Sequence, residues 1–272
     1  MAIHRIGVMP NISHAKASLA QQRLIGQLLR SETEGAAAVA AHLETCGPAT
    51  PCHSVACPIC GLVFQGAAFD LGEHFIRIPA REIRNRTHLL TLVPDIGCVG
   101  PDELSVEVFE RVGAETLAAL EQLGFPPALI SLEATFNEDT TGRLPPHWCV
   151  HSHGYGRDWV GAAQERDLKD RFPPSPWVRG PVRIDPLDQR IAAQLYPFKV
   201  ERFRRVTVLV TDHPTRRPYR DTIYRPLRPD QAVRLALVEH RLGFNRRLLI
   251  HGIEEEAIRR HLGGLGWLRD GP

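Results

Sequence analysis

The spacing of apolar positions changes several times along the chain. In "SLAQQRLIGQLLRSETEGAAAVAAHLETC", residues 18–46, it is helical, with an alanine-rich second half, and predicts one or two helices. The following "CGPATPCHSVACPICG", 46–61, has no period and is rich in Pro, Gly and small residues. It predicts a knuckle held by something other than a core. From about residue 85 the pattern settles into alternating elements. "THLLTLVP" (87–94) predicts a buried strand, and 101–124 a long amphipathic helix opened by Pro and acids and closed by Gly124. "ALISLEATF" (128–136) and "PPHWCVHSHGYG" (145–156) predict a hairpin across a turn-rich segment of about ten residues.

Further on, a polar helix is expected near 162–171, a short "VRI" strand, and a helix over 186–196. Strands are expected at 204–211 and 220–227, a helix over 228–243 ending at Gly243, a strand at 246–252 and a short terminal helix with a tail. The central order β-α-β-β-α-β implies an α+β fold, with helices packed on one antiparallel, ferredoxin-like sheet. The expected organisation is a helical segment over 1–45, a knuckle over 46–66, the main domain over 80–255 and a tail over 256–272.

Composition narrows the picture. Hydrophobic residues make up 43% of the 272, normal for a globular core, and the formal charge is only +2. Lysine occurs only at Lys16, Lys169 and Lys199, so the positive charge is mostly arginine, clustered at 81–86, 202–205, 216–217 and 246–247. Such forks suit phosphate oxygens, although each cluster reads equally well as a solvated face. The first residues lack a continuous apolar core and there is no apolar run of about 18 residues, so a cytoplasmic protein without membrane contact is expected.

Four of the six cysteines, Cys46, Cys52, Cys57 and Cys60, fall within fifteen residues in a C-x5-C-x4-C-x2-C spacing. This suits a tetrahedral structural zinc, with His53 as an alternative to Cys46 and a redox-active CPIC pair as the rival chemistry. Cys98 and Cys149 read as lone buried cysteines.

The histidine-rich strand carries the candidate chemistry. His147, His151 and His153 alternate and so share one strand face, where two imidazoles can hold a divalent ion. Glu133 on the hairpin partner lies across from His151 in one plausible register. "YPFK" places Tyr196 and Lys199 three residues apart. Pro197 predicts that Tyr196 sits at or beyond the helix end, with Lys199 no longer fixed one turn below it. Tyr155, in "HGYG", is a second candidate nucleophile, expected in a glycine-flanked turn.

Together "LLTLVP", the His151-Ser152-His153 triplet preceded by "PHW", and Tyr196 with Lys199 resemble, in order and spacing, the three motifs of the HUH superfamily of single-strand DNA nickases. "CPIC" is similar to segments of some plasmid initiators, and the resemblance covers roughly residues 45–252. It departs at Ser152, where the superfamily prefers an apolar residue.

The resemblance implies an HUH-like nuclease fold and tyrosine-mediated nicking and joining of single-stranded DNA at a replication origin, initiating rolling-circle replication of a mobile element. It implies Mg²⁺ or Mn²⁺ on His151 and His153, with Glu133 or His147 as a further ligand. Tyr196 would be the nucleophile, Lys199 its partner, and Arg204 and Arg205 would hold flanking DNA. The sequence carries no nucleotide-binding glycine loop or helicase motif, so a host helicase would supply unwinding. Two alternatives stay open: a zinc-stabilised, catalytically degenerate DNA-binding or regulatory protein on the same fold, and a transposase or relaxase using the same chemistry.

Overall fold

The computed structural model describes residues 13–47, 50–77, 87–158, 160–187, 191–211 and 218–262. The arginine clusters at 81–86 and 216–217 and the end of the expected tail lie outside these residues.

The chain begins with α1 (His14–Leu29), α2 (Ala36–Glu44) and α3 (Pro58–Gly72), the last followed by a π-helical turn, Glu73–Arg77. Then come β1 (His88–Leu92), β2 (Cys98–Val99), α4 (Val106–Gln122), β3 (Ala128–Asp139), β4 (His147–Gly156) and α5 (Ala162–Arg171). The remainder is β5 (Val182–Pro186), α6 (Ile191–Leu195), a 3-10 turn (Tyr196–Phe198), β6 (Phe203–Val210), β7 (Tyr219–Pro226), α7 (Pro229–Leu242), α8 (Phe244–Arg247), β8 (Leu248–His251) and α9 (Glu255–Leu262).

The protein is α+β, and the strands form one sheet of order β5-β1-β4-β3-β6-β7, with β2 also paired to β4 and β8 to β3. The expectation of an antiparallel sheet needs correction, because β6 runs parallel to β3 over Phe136–Asp139 while the other pairs are antiparallel. The cause is the long path from β4 through α5, β5 and α6, which returns β6 by a crossover rather than a hairpin.

Helices cover both faces of the sheet. On one face α4 and α7 bury Leu90, Ile130, Leu132, Phe136, Trp148 and Val150 against Phe109, Val112, Leu120 and Leu235. On the other, α1 to α3 pack on Leu129 and Tyr155. The cysteine segment lies inside this second core instead of standing apart as a knuckle. Helix α3 is a departure from the sequence expectation, and it crosses residue 66. It buries residues around its whole circumference, including Ile59, Cys60, Leu62, Phe64, Gln65, Ala68 and Leu71, so it carries no polar stripe that would reveal a helical period.

Only half of the second face is covered. Along β3 it presents Leu129, Ser131, Glu133, Thr135 and Asn137, and directly opposite on β4 Tyr155, His153, His151, Cys149 and His147. The apolar end lies under α3. Tyr155 is fully buried there, in strand β4 rather than in the expected turn, and a methyl at Gly72 would sit 1.7 Å from its hydroxyl. Gly72→Ala is therefore expected to cost about 3 kcal/mol by overpacking, read as a lowered urea midpoint at unchanged slope.

Candidate functional site

The site lies where the covered half of that face meets the open half. β3 pairs with β8 through Ala128–Ser131 and with β6 through Phe136–Asp139, so the flanking strands part beside Glu133. On the other side, β4 pairs with β2 at Cys149 and with β1 from Ser152, leaving His151 at a similar parting. Glu133 and His151 pair directly across the β3–β4 ladder. His153 stands opposite Ser131 on one side and Thr91 on the other.

Hydrogen bonds fix the imidazoles. The Cys149 carbonyl accepts from His151 Nδ1 at 3.2 Å, so His151 Nε2 bears the lone pair. That nitrogen faces Glu133 Oε2 at 3.7 Å. Two acceptors therefore look at one another across a gap suited to a cation. His153 Nδ1 and the Thr91 hydroxyl share a 3.0 Å bond, and His153 Nε2 is buried without a partner, as is Glu133 Oε1. Burial depresses both histidines, His153 to about 3, so they remain neutral and ligand-competent at pH 7. Burial also works to raise the Glu133 carboxyl, but neighbouring charge, Lys199 foremost, outweighs it and holds Glu133 below the usual carboxylate range.

The Lys199 ammonium sits on that same carboxylate oxygen, with Nζ 2.5 Å from Glu133 Oε2. It also lies 4.6 Å from the centre of the Tyr196 ring, which in turn meets the His153 ring edge-on at 5.1 Å. Pro197 does end α6 before Tyr196, but it does not separate Tyr196 from Lys199. Tyr196–Phe198 form a 3-10 turn closed by the Lys199 N–H on the Tyr196 carbonyl, and in that geometry residues three apart eclipse. Tyr196 is 47% exposed and, with Lys199, Glu133, Arg202 and Tyr224, lines a cleft of about 280 Å³.

Two further residues line this cleft that sequence reasoning missed as part of the site. Arg247 is fully buried beside Ser131 and the Lys199 carbonyl, and Glu239 clamps Arg202 at 2.7 Å. "RR" at 246–247 was the only signal for Arg247.

Other expected site residues lie elsewhere. His147 is four residues up the strand from His151, about 13 Å away, with its ring against Trp177. Arg204 points to the opposite face, where it pairs with Glu138, whereas Arg205 is exposed on the same face as the histidines. Ser152 also turns to the opposite face, where its hydroxyl bonds Thr116 of α4 at 2.6 Å. A polar pair thus replaces the apolar contact expected at that position. Tyr155, the rival nucleophile, is sealed under α3 with its hydroxyl unpartnered and its acidity suppressed by burial.

A second centre lies at the N-terminal end of α3. Among the described residues, Cys46, Cys52, Cys57 and Cys60 are the one set of three or more metal-ligating side chains whose ligand atoms all lie within 4.8 Å of one another. Cys46–Cys60, Cys46–Cys57 and Cys52–Cys60 sulfur separations are 3.5, 3.5 and 3.7 Å. Tetrahedral thiolates at about 2.3 Å from zinc have sulfurs about 3.8 Å apart, so the cluster can hold such an ion. His53 is not part of the set. Cys57 caps α3, whose N-terminus favours thiolates, a helix context the sequence did not disclose. The Cys52 N–H donates to Cys46 Sγ, and Gln21 Nε2 to Cys57 Sγ, contacts that orient ligand sulfurs.

Cys98 and Cys149 are not lone residues: they face each other across β2 and β4 with sulfurs 3.2 Å apart.

Among the described residues no helix is long and apolar enough to cross a membrane. No family model matches this chain, and no curated protein or solved structure matches it either.

Proposed function

We propose that the protein is a metal-dependent, tyrosine-mediated single-strand DNA nicking and joining enzyme of the HUH type, initiating rolling-circle replication of a mobile element. One observation carries this reading: Glu133, Tyr196 and Lys199 line one open cleft, and His151 and His153 on β4 stand directly beside them, against Glu133 and the Tyr196 ring. Zinc in the cysteine cluster would be structural.

His151, His153 and Glu133 would hold Mg²⁺ or Mn²⁺: the lone pair of His151 faces Glu133 at 3.7 Å and His153 Nε2 has no partner, and the three groups would draw closer together to share one ion. When bound, the ion supplies Lewis-acid polarisation of the scissile phosphate. Tyr196 would attack phosphorus as the P–O3′ bond breaks, giving a 5′-phosphotyrosine and a free 3′-hydroxyl. Reversal by a 3′-hydroxyl joins strands. Lys199, released from Glu133 by the competing cation, would favour ionisation of the phenol and offset phosphate charge. A host helicase would open the duplex.

A second reading is a zinc-stabilised DNA-binding or regulatory protein, favoured by the ammonium of Lys199 already satisfying one oxygen of Glu133. A transposase or relaxase would use the same cleft on other DNA. The experiment is incubation with a single-stranded DNA library in Mn²⁺ and a denaturing gel. A covalent protein–DNA adduct that is lost in His151→Ala is expected. A folded, zinc-loaded protein that retains DNA yet forms no adduct would favour the binding-protein reading.

A further inference from the structure

A second concavity, of about 580 Å³, lies further along the same open face. Its floor is Asn137, His147, Arg205, Thr207 and Thr222, and Trp177 and Arg179 form a wall. It is joined to the Tyr196 cleft through a single cross-strand pair. Tyr224, 62% exposed, lines the Tyr196 cleft, and its β6 partner Arg205 lines the second groove.

The charge is one-sided. The two acids at the margin are already engaged, Glu138 by Arg204 and Arg228, and Asp139 by Arg220 and Thr141. Arg143, Arg179 and Arg205 carry no ion pair among the described residues, and all three are exposed. Three uncommitted guanidinium groups around one groove favour a polyanion.

The aromatic component is fixed in advance. Trp177 sits in a turn whose N–H groups, its own and that of Val178, donate to Ser175 Oγ at 3.2 and 3.1 Å, and its ring rests on His147 at 4.6 Å. A half-exposed indole held this way is a stacking platform that pays little ordering entropy on binding. The groove begins about 13 Å from Glu133 and His151, roughly four nucleotides at helical rise and fewer if extended.

We infer that this groove binds the single strand flanking the reacting phosphate, with a base stacked on Trp177 and phosphates on Arg143, Arg179 and Arg205. The inference rests on the reading of the protein as acting on single-stranded DNA, and it assigns the flanking-strand subsite. Duplex DNA, whose bases are already stacked, gains nothing from Trp177.

The test is fluorescence anisotropy of a labelled 12-nucleotide dT strand with the full chain carrying Tyr196→Phe, which prevents cutting. Adding Trp177→Ala should weaken binding about tenfold, and Trp177→Phe should restore most of it. Arg143→Ala with Arg179→Ala, both surface changes, should flatten the dependence of log K on log salt by about 0.7 per arginine. Wild-type affinity and salt slope in both sets would overturn the groove, as would absence of binding by Tyr196→Phe itself, or displacement of the strand by polyglutamate as readily as by unlabelled dT. The adduct assay on wild-type protein separates the two ideas. An adduct with unaffected groove variants leaves nicking standing and removes the groove, whereas no adduct with weakened groove variants does the reverse.

Discussion

Under the proposed chemistry, Tyr196→Phe is expected to reduce covalent capture of single-stranded DNA by at least about 10³-fold, because it removes the one atom that would bond phosphorus. The ring stays, and with it the edge contact to His153 at 5.1 Å and the overlay by Lys199 at 4.6 Å, so fold and DNA retention should be unchanged. Tyr155→Phe is the matched comparison. Its hydroxyl is buried without a hydrogen-bond partner, so removing it should leave capture untouched and stability equal or slightly higher. Capture that survives in Tyr196→Phe would exclude this tyrosine as the nucleophile.

The second large effect is expected at the cysteine cluster. Cys60→Ala should take bound zinc from one equivalent to none, measured by elemental analysis, and lower the melting temperature by about 10–20 °C. The magnitude follows from scale: zinc binding by four cysteines or their equivalents is worth about 10–16 kcal/mol in isolated modules, and losing even 5 kcal/mol of it shifts a domain of this size by that much. The cluster lies within a core shared with Leu43, Phe64 and Phe198, so the loss should spread beyond the cysteines. A variant that melts with the wild type and never held metal would make these cysteines ordinary core residues.

Much of the sheet was legible because its strands announce themselves by local pattern. "ALISLEATF" and "HWCVHSHGYG" form the expected hairpin, and Glu133 does lie opposite His151, since a one-residue slip would have turned the apolar set of β3 away from α4. The grouping of Tyr196 with His153 was readable only as a spacing of motifs; the contact itself depends on α3, which holds the intervening turn. Nothing in the chain's periodicity announced α3, because a helix buried all round has no polar face to show. The parallel run of β6 was hidden for a related reason: strand direction is set by the route of the chain between strands, and hydrophobic pattern is silent about route. Trp177 and Arg179 gave no signal because they sit in a loop, "FPPSPWVRGP", where no period exists; only the fold brings Trp177 over His147 and Arg179 into the same groove.

Helix α3 also has a mechanical meaning. Its N-terminal turn carries Cys57 and Cys60; midway, Gln65 holds the Leu195 carbonyl at 3.0 Å and Phe64 meets Phe198 edge-on at 6.3 Å; its last residue, Gly72, abuts Tyr155. The first half of this rod, about 10 Å of it, therefore joins the sulfur cluster to the turn that presents Tyr196. If metal tightens the rod's anchorage, then occupancy at the sulfurs and order at the tyrosine become linked quantities. By reciprocity, a strand that settles the tyrosine turn must strengthen the hold on the distant ion by the same factor.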